Sequence, residues 1–234
     1  MSIPNRQIAD NIARIRERIA RALNRSGRED TEVTLLAVTK TVDINSVVEA
    51  YKAGIRDFCE NYIQEARGKQ DGELMKRDSI RWHFIGHLQT NKVKEAIGKF
   101  VLIHSVDSLS LAREIGRRAE RLGKTADILL EVKMDAVDTK FGFMPAEALD
   151  AVMQIREISG IQLNGLMGMA PFSSEPENAR PYFRQLNTIF EQIPPESRKI
   201  LSMGMTGDFE VAIEEGATLV RIGTALFGGR LPRE

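Results

Sequence analysis

Residues 201–228 read LSMGMTGDFEVAIEEGATLVRIGTALFG. An apolar run from Ile200 to Met203 passes through a loop of small and hydroxyl residues. It then enters a helical period over Phe209 to Ile213 that stops at Gly216. A second apolar run, Leu219 to Ile222, leads into another loop that carries glycine and threonine. Two strands separated by a helix belong to a parallel sheet, because parallel neighbours need a crossover connection.

Upstream the same unit repeats. Short apolar runs at Val33 to Val38, Ile55 to Cys59, Trp82 to Ile85, Val101 to His104, Ile128 to Val132 and Ile161 to Met167 each precede a helical period. Those periods include the Ile44, Val47, Val48, Tyr51 face stopped by Gly54, and a helix over Tyr62 to Met75. Thr90 to Ile97 ends at Gly98, the Leu109 to Leu122 face closes at Gly123, and Pro145 opens the next helix. Phe183, Leu186 and Phe190 mark another. Eight strands in 234 residues predict a closed (β/α)8 TIM barrel, an α/β fold, as one domain over 1–234. Ahead of it, Ile8, Ile12, Ile15, Ile19 and Leu23 form one face of an extra N-terminal helix that ends before Gly27. Pro171 to Pro181, PFSSEPENARP, is the longest irregular stretch and reads as a mobile loop after the sixth strand.

Lysine plus arginine equals aspartate plus glutamate at 33 each, which argues against a nucleic-acid or membrane-surface binder. The N-terminus has no secretory apolar core, and no apolar run reaches membrane-spanning length. The single cysteine, Cys59, excludes an intrachain disulfide and suits a reducing compartment, so the chain is expected to be cytoplasmic. Three histidines without carboxylates at ligand spacing predict no metal site.

Barrel chemistry sits at the strand C-termini. Lys40 closes the first run, LLAVTK, where partial desolvation makes an amine a Schiff-base nucleophile. Taken alone it reads more simply as a solvated lysine. Ser202, Thr206 and the amides around Gly207 can cradle a phosphate before the helix, or Thr206 or Asp208 can merely cap that helix. Gly223 and Thr224 offer amides after the last strand. Because barrels build phosphate sites after strands seven and eight, the phosphate reading gains over capping. Arg221 can face the mouth or pair with a carboxylate at a strand edge. Asn61, in ENYIQEA, can contact a ligand or cap a helix. His83 and His87 crowd the end of the third strand, with His87 read as structural. Neither a dinucleotide-binding glycine motif nor a P-loop is present.

Together LLAVTK, ENYIQEA, WHFIGHLQTNKVK, HSVDS, LMGMAP and the 201–228 stretch resemble the pyridoxal phosphate homeostasis proteins (the YggS/PROSC family), over nearly the whole chain. These are related to the N-terminal barrel of alanine racemases. The resemblance implies pyridoxal 5′-phosphate held as an internal aldimine on Lys40, with Ser202, Thr206, Gly223 and Thr224 around the phosphate. It sets Arg221 against the pyridine nitrogen, and Asn61 and His83 along the pocket. Cys59 departs from the glycine expected before ENY, and LMGMAP from a more usual LMTMAP-like run.

The function implied is a non-catalytic monomeric carrier or buffer of the cofactor in vitamin B6 and amino-acid homeostasis, with pyridoxal-phosphate-dependent apoenzymes as recipients. An amino-acid racemase is the alternative. It would need a second base, which the related enzymes take from a tyrosine in a further domain, and Tyr51, Tyr62 and Tyr182 sit in no such segment. A lysine-dependent aldolase ranks last, since such barrels place their lysine later.

Overall fold

Apolar runs this short become parallel strands when both of their faces are covered. The computed structural model describes residues 5–29, 32–70, 79–134 and 141–228. Its strands are β1 (Thr34–Val38), β2 (Asp57–Glu60), β3 (Arg81–Phe84), β4 (Leu102–Val106), β5 (Ala126–Val132), β6 (Ile161–Gly168), β7 (Ile200–Ser202) and β8 (Leu219–Ile222). Each pairs in parallel with the next. β8 returns to β1 from Thr34↔Leu219 to Ala37↔Ile222, which closes the barrel. The architecture is the (β/α)8 barrel expected.

Around it run α1 (Asn5–Arg25), α2 (Ile44–Lys52), α3 (Ile63–Gln70), α4 (Val93–Ala96), α5 (Leu109–Arg121), α6 (Ala148–Arg156), α7 (Arg180–Gln192), α8 (Phe209–Glu214) and α9 (Thr224–Phe227). The expected helix through Met75 is α3 as far as Gln70; its remainder lies outside the described residues. Asp43 caps α2 by accepting from the Ser46 amide at 3.0 Å, and Ser108 caps α5. Among the described residues no helix is long and apolar enough to cross a membrane.

The four residues of α9 are too few to cover the sheet where β8 meets β1, and α1 takes that place. Its face of Ile8, Ile12, Ile15, Ile19 and Leu23 is buried, and it packs on α2, α8 and α9. Asn11 Nδ2 donates to the Leu226 carbonyl at 2.8 Å, tying α1 to α9. Arg18 pairs with Glu210 at 2.6 Å and lies over the Phe209 ring on α8.

One expectation is corrected. In the 171–181 stretch, Pro176–Ala179 forms a 3-10 turn, and Arg180 and Pro181 already belong to α7. Arg180 bonds Glu177 behind it and Glu214 and Glu215 at the C-terminal end of α8, so the stretch is anchored at its end. A proline in the first helical turn loses no hydrogen bond, which is why Pro181 opens α7 rather than breaking it.

Candidate functional site

A cavity of about 410 Å³ opens at the C-terminal ends of the strands, within the range of small-molecule sites. Lys40, Asn61, Thr206, Arg221, Gly223 and Thr224 all line it. His83, Ser202 and Gly207 do not.

Lys40 stands two residues past the end of β1, in a turn rather than on the strand itself. The backbone on either side is pinned. The Thr39 amide and hydroxyl both donate to the Cys59 carbonyl, and Lys69 Nζ donates to the Thr39 carbonyl at 2.6 Å. Thr41 has φ 62°, the only positive φ outside glycine among the described residues. Its amide donates to Glu65 Oε2 at 3.0 Å. A β-branched residue is strained there, so surrounding bonds dictate the turn that presents Lys40.

Asn61 follows β2 directly. Its Oδ1 is buried without a hydrogen-bond partner, so it serves as no helix cap. Its backbone is held close to the β3 loop: a Cβ on Gly86 would lie 2.0 Å from the Asn61 carbonyl oxygen, which only glycine avoids. Below Asn61, Glu60 is fully buried and pairs with Lys69 at 2.5 Å.

Arg221 is buried on β8. Its Nη1 donates to the Ser202 carbonyl and hydroxyl at 2.8 and 2.7 Å, and its Nη2 to the Gly168 carbonyl at 3.0 Å. Thr206 Oγ1 accepts from the Ala225 amide at 3.4 Å, joining the loop after β7 to the loop after β8. At Gly223 a Cβ would meet Val38 Cβ at 3.3 Å, so the close approach of β8 to the Lys40 strand favours glycine. Asp208 precedes α8 without capping it; its carboxylate accepts from the Met205 amide at 2.6 Å.

Three expected lining residues sit elsewhere. A strand rises about 3.3 Å per residue and alternates faces, so an inward residue two places below the mouth lies a full layer down. That is the case for His83, two residues before Ile85, and for Ser202, below Met205 and Thr206. Ile85, Met205 and Thr206 line the cavity. His83 bonds Asp57 and His104 instead, and Ser202 bonds Arg221 and His104. Gly207 is exposed, with no atom within 4 Å of where a Cβ would stand.

Two groups at the mouth escaped the reading of the sequence. Glu131 on β5 is buried in the cavity wall. Burial first, then the nearby Asp107 carboxylate, pushes its carboxyl up to about 7 against the pull of Arg221. Its signal was the lone charge in the run ILLEV. His87, read as structural, lines the cavity; its ring stacks on Phe141 at 3.7 Å and its Nδ1 lies 3.0 Å from Asp107. Cys59 behaves as a small apolar side chain, packed with Leu36, Val38 and Leu219, and burial pushes its thiol well above the ordinary range.

A family model described as alanine racemase, N-terminal domain, matches residues 7–231. A protein of Aquifex aeolicus named "Pyridoxal phosphate homeostasis protein" is 43% identical over 224 residues, covering 94% of this chain and 97% of the relative. The chain belongs to the pyridoxal phosphate homeostasis family. A relative of the same name from Pseudomonas aeruginosa is 39% identical, over 95% of this chain and 96% of its own. Among solved structures, PipY of Synechococcus elongatus with pyridoxal phosphate bound superposes with a TM-score of 0.80 at 35% identity, covering 94% of this chain and all of PipY. An alanine racemase of Clostridium difficile shares the fold alone. It has a TM-score of 0.69 at 16% identity, covering 96% of this chain and 58% of the racemase.

Proposed function

We propose that this member of the family binds pyridoxal 5′-phosphate at the barrel mouth as a Schiff base on Lys40, and carries or buffers it in vitamin B6 and amino-acid homeostasis. The observation that carries the reading is the convergence of Lys40, Arg221 and the Thr206 and Gly223–Thr224 loops on one cavity. The residues fit the group. The unpartnered, buried Asn61 Oδ1 leaves an acceptor waiting in the wall, and Gly223 keeps a side chain out of the space beside Val38.

When bound, the cofactor supplies a reactive aldehyde and, in enzymes, an electron sink. Lys40 supplies the amine. Thr206, Gly223 and Thr224 supply the hydroxyl and amide donors for the phosphate. Arg221 keeps a permanent cation against the ring, which disfavours protonation of the pyridine nitrogen and so weakens the sink. No tyrosine lines the cavity among the described residues, so the second base of a racemase has no evident source there. The carried cofactor would pass to pyridoxal-phosphate-dependent apoenzymes.

The test is borohydride reduction of the loaded protein, with the modified residue mapped by mass, in wild type and Lys40→Ala. The label is expected on Lys40, with complete loss of the visible absorbance in the variant. An unchanged spectrum in the variant would sink the assignment, and alanine racemisation at roughly 1 per second or more would replace the carrier reading with an enzyme.

A further inference from the structure

Five side chains on five strands form an unbroken hydrogen-bonded row through the barrel interior. Arg221 Nη1 on β8 lies 2.7 Å from Ser202 Oγ on β7. Ser202 Oγ lies 3.0 Å from His104 Nδ1 on β4, a contact between strands that are not neighbours and so one that crosses the barrel. His104 Nε2 lies 3.0 Å from His83 Nδ1 on β3, and His83 Nε2 lies 3.1 Å from Asp57 Oδ1 on β2. All five are at most 7% exposed. The row begins at the cavity, which Arg221 lines, and ends at the opposite mouth, where Asp57 and His83 line a second pocket with Arg81.

We infer that Asp57, His83 and His104 are positioning residues, forming a relay of donors that runs one way, from Arg221 to Asp57, and fixes the guanidinium at the mouth from the floor of the barrel. The direction follows from which atoms can donate. A guanidinium only donates, so Ser202 Oγ accepts from Arg221. The Ser202 hydroxyl hydrogen then goes to His104 Nδ1. His104 therefore carries its hydrogen on Nε2 and donates to His83 Nδ1, and His83 donates from Nε2 to Asp57. The carboxylate, which also accepts from Arg81 Nε at 2.7 Å, is the sink of the row.

The opposite direction fails at Ser202. If His104 donated from Nδ1, Ser202 Oγ would face two donors, and its own hydrogen would have no acceptor among the contacts of the described residues. A buried hydroxyl left so is costly. A doubly protonated His104 would impose the same conflict, and burial also pushes its imidazole well below the ordinary range.

The relay is a property of the protein without ligand; its effect on the cofactor rests on the function proposed above. The first test is the nitrogen-15 spectrum of the histidines in cofactor-free protein near pH 7. Both His83 and His104 are expected as the Nε2–H tautomer, and an Nδ1–H or doubly protonated form of either overturns the relay. The second test cuts the row with His104→Leu and restores it with His104→Gln, whose amide offers one acceptor and one donor in the same sense. The Arg221 guanidinium signal should move in the first variant and return in the second. Affinity for pyridoxal 5′-phosphate should fall about tenfold in the first, the scale of one charge-assisted hydrogen bond, and recover in the second.

If His104→Leu does not fold, Ser202→Ala makes the cut one step nearer Arg221 with a smaller change of volume, and its guanidinium signal is read in the same way. A guanidinium signal indifferent to either cut overturns the positioning role. A signal that moves while affinity does not would overturn the link to the cofactor but leave the labelling of Lys40 to be judged independently.

Discussion

On the outside of the sheet, β2 and β3 turn Phe58, Trp82 and Phe84 into one apolar cluster shared with the helices; on the inside, the same strands turn Asp57, Cys59 and His83. The outer cluster is continuous from α1 round to α9. Among the described residues the inner apolar groups form two small clusters, Leu36, Val38, Cys59 and Leu219 on one side and Leu102, Leu129 and Met167 on the other. Charged and hydrogen-bonding side chains occupy the space between. The outer layer is held by area removed from water, which is non-directional. The inner one is held by partners, each of which strands another if removed.

The largest expected effect lies outside. Phe58→Ala removes a fully buried ring whose centroid lies 5.6 Å from that of Trp82, tilted by 35°, and should cost about 3–5 kcal/mol in denaturant unfolding. A cost under about 1 kcal/mol would mean that the outer cluster is not the main source of stability.

Inside, a substitution should act in the opposite sense. The folded protein keeps Glu131 protonated up to about 7, against an ordinary 4.5. Between those values the native state binds a proton that the unfolded chain has released, so stability falls as pH rises through the window. The loss reaches up to about 3 kcal/mol once pH exceeds 7. Glu131→Gln carries no such penalty. Urea unfolding should find it more stable than wild type at pH 8 and similar near pH 4, and parallel pH profiles for the two would refute the burial argument.

The smallest effect concerns the turn that joins the two regions. Thr41→Gly releases roughly 1–2 kcal/mol of left-handed strain and loosens the unfolded chain by about 0.4–1 kcal/mol. The cofactor-free protein should therefore gain between about 0 and 1.6 kcal/mol in thermal unfolding. A clear loss would show that the Thr41 side chain does more than follow the backbone.

The same contrast explains what the sequence could disclose. Outward positions repeat with period two or 3.6, so the strands, the helices and the N-terminal face of Ile8 to Leu23 could be read off directly. Periodicity assigns a residue to a face but not to a height along the barrel. His83 and Ser202, expected to bind the cofactor, point into the barrel but lie one layer below the cavity. Lys40, Asn61, Thr206, Gly223 and Thr224 come after their strands end, where height is not in question, and Arg221 reaches the cavity from within β8. Glu131 looked like a strand residue because its neighbours are apolar; its charge was the clue. The direction of the relay depends on contacts between β4 and β7, separated by 98 residues at His104 and Ser202, and no local pattern carries that.

The placement of α1 has a consequence for how the chain must be made. Its apolar face is completed by α8 and α9, and Asn11 finds its partner 215 residues later, at Leu226. At about 5–20 residues per second, the first helix emerges some ten to forty seconds before α8 and α9, which complete its cover. β1 likewise waits for β8 along one edge. Until α8, β8 and α9 are made, the nascent chain therefore carries an amphipathic helix covered by α2 alone and an open sheet edge at β1.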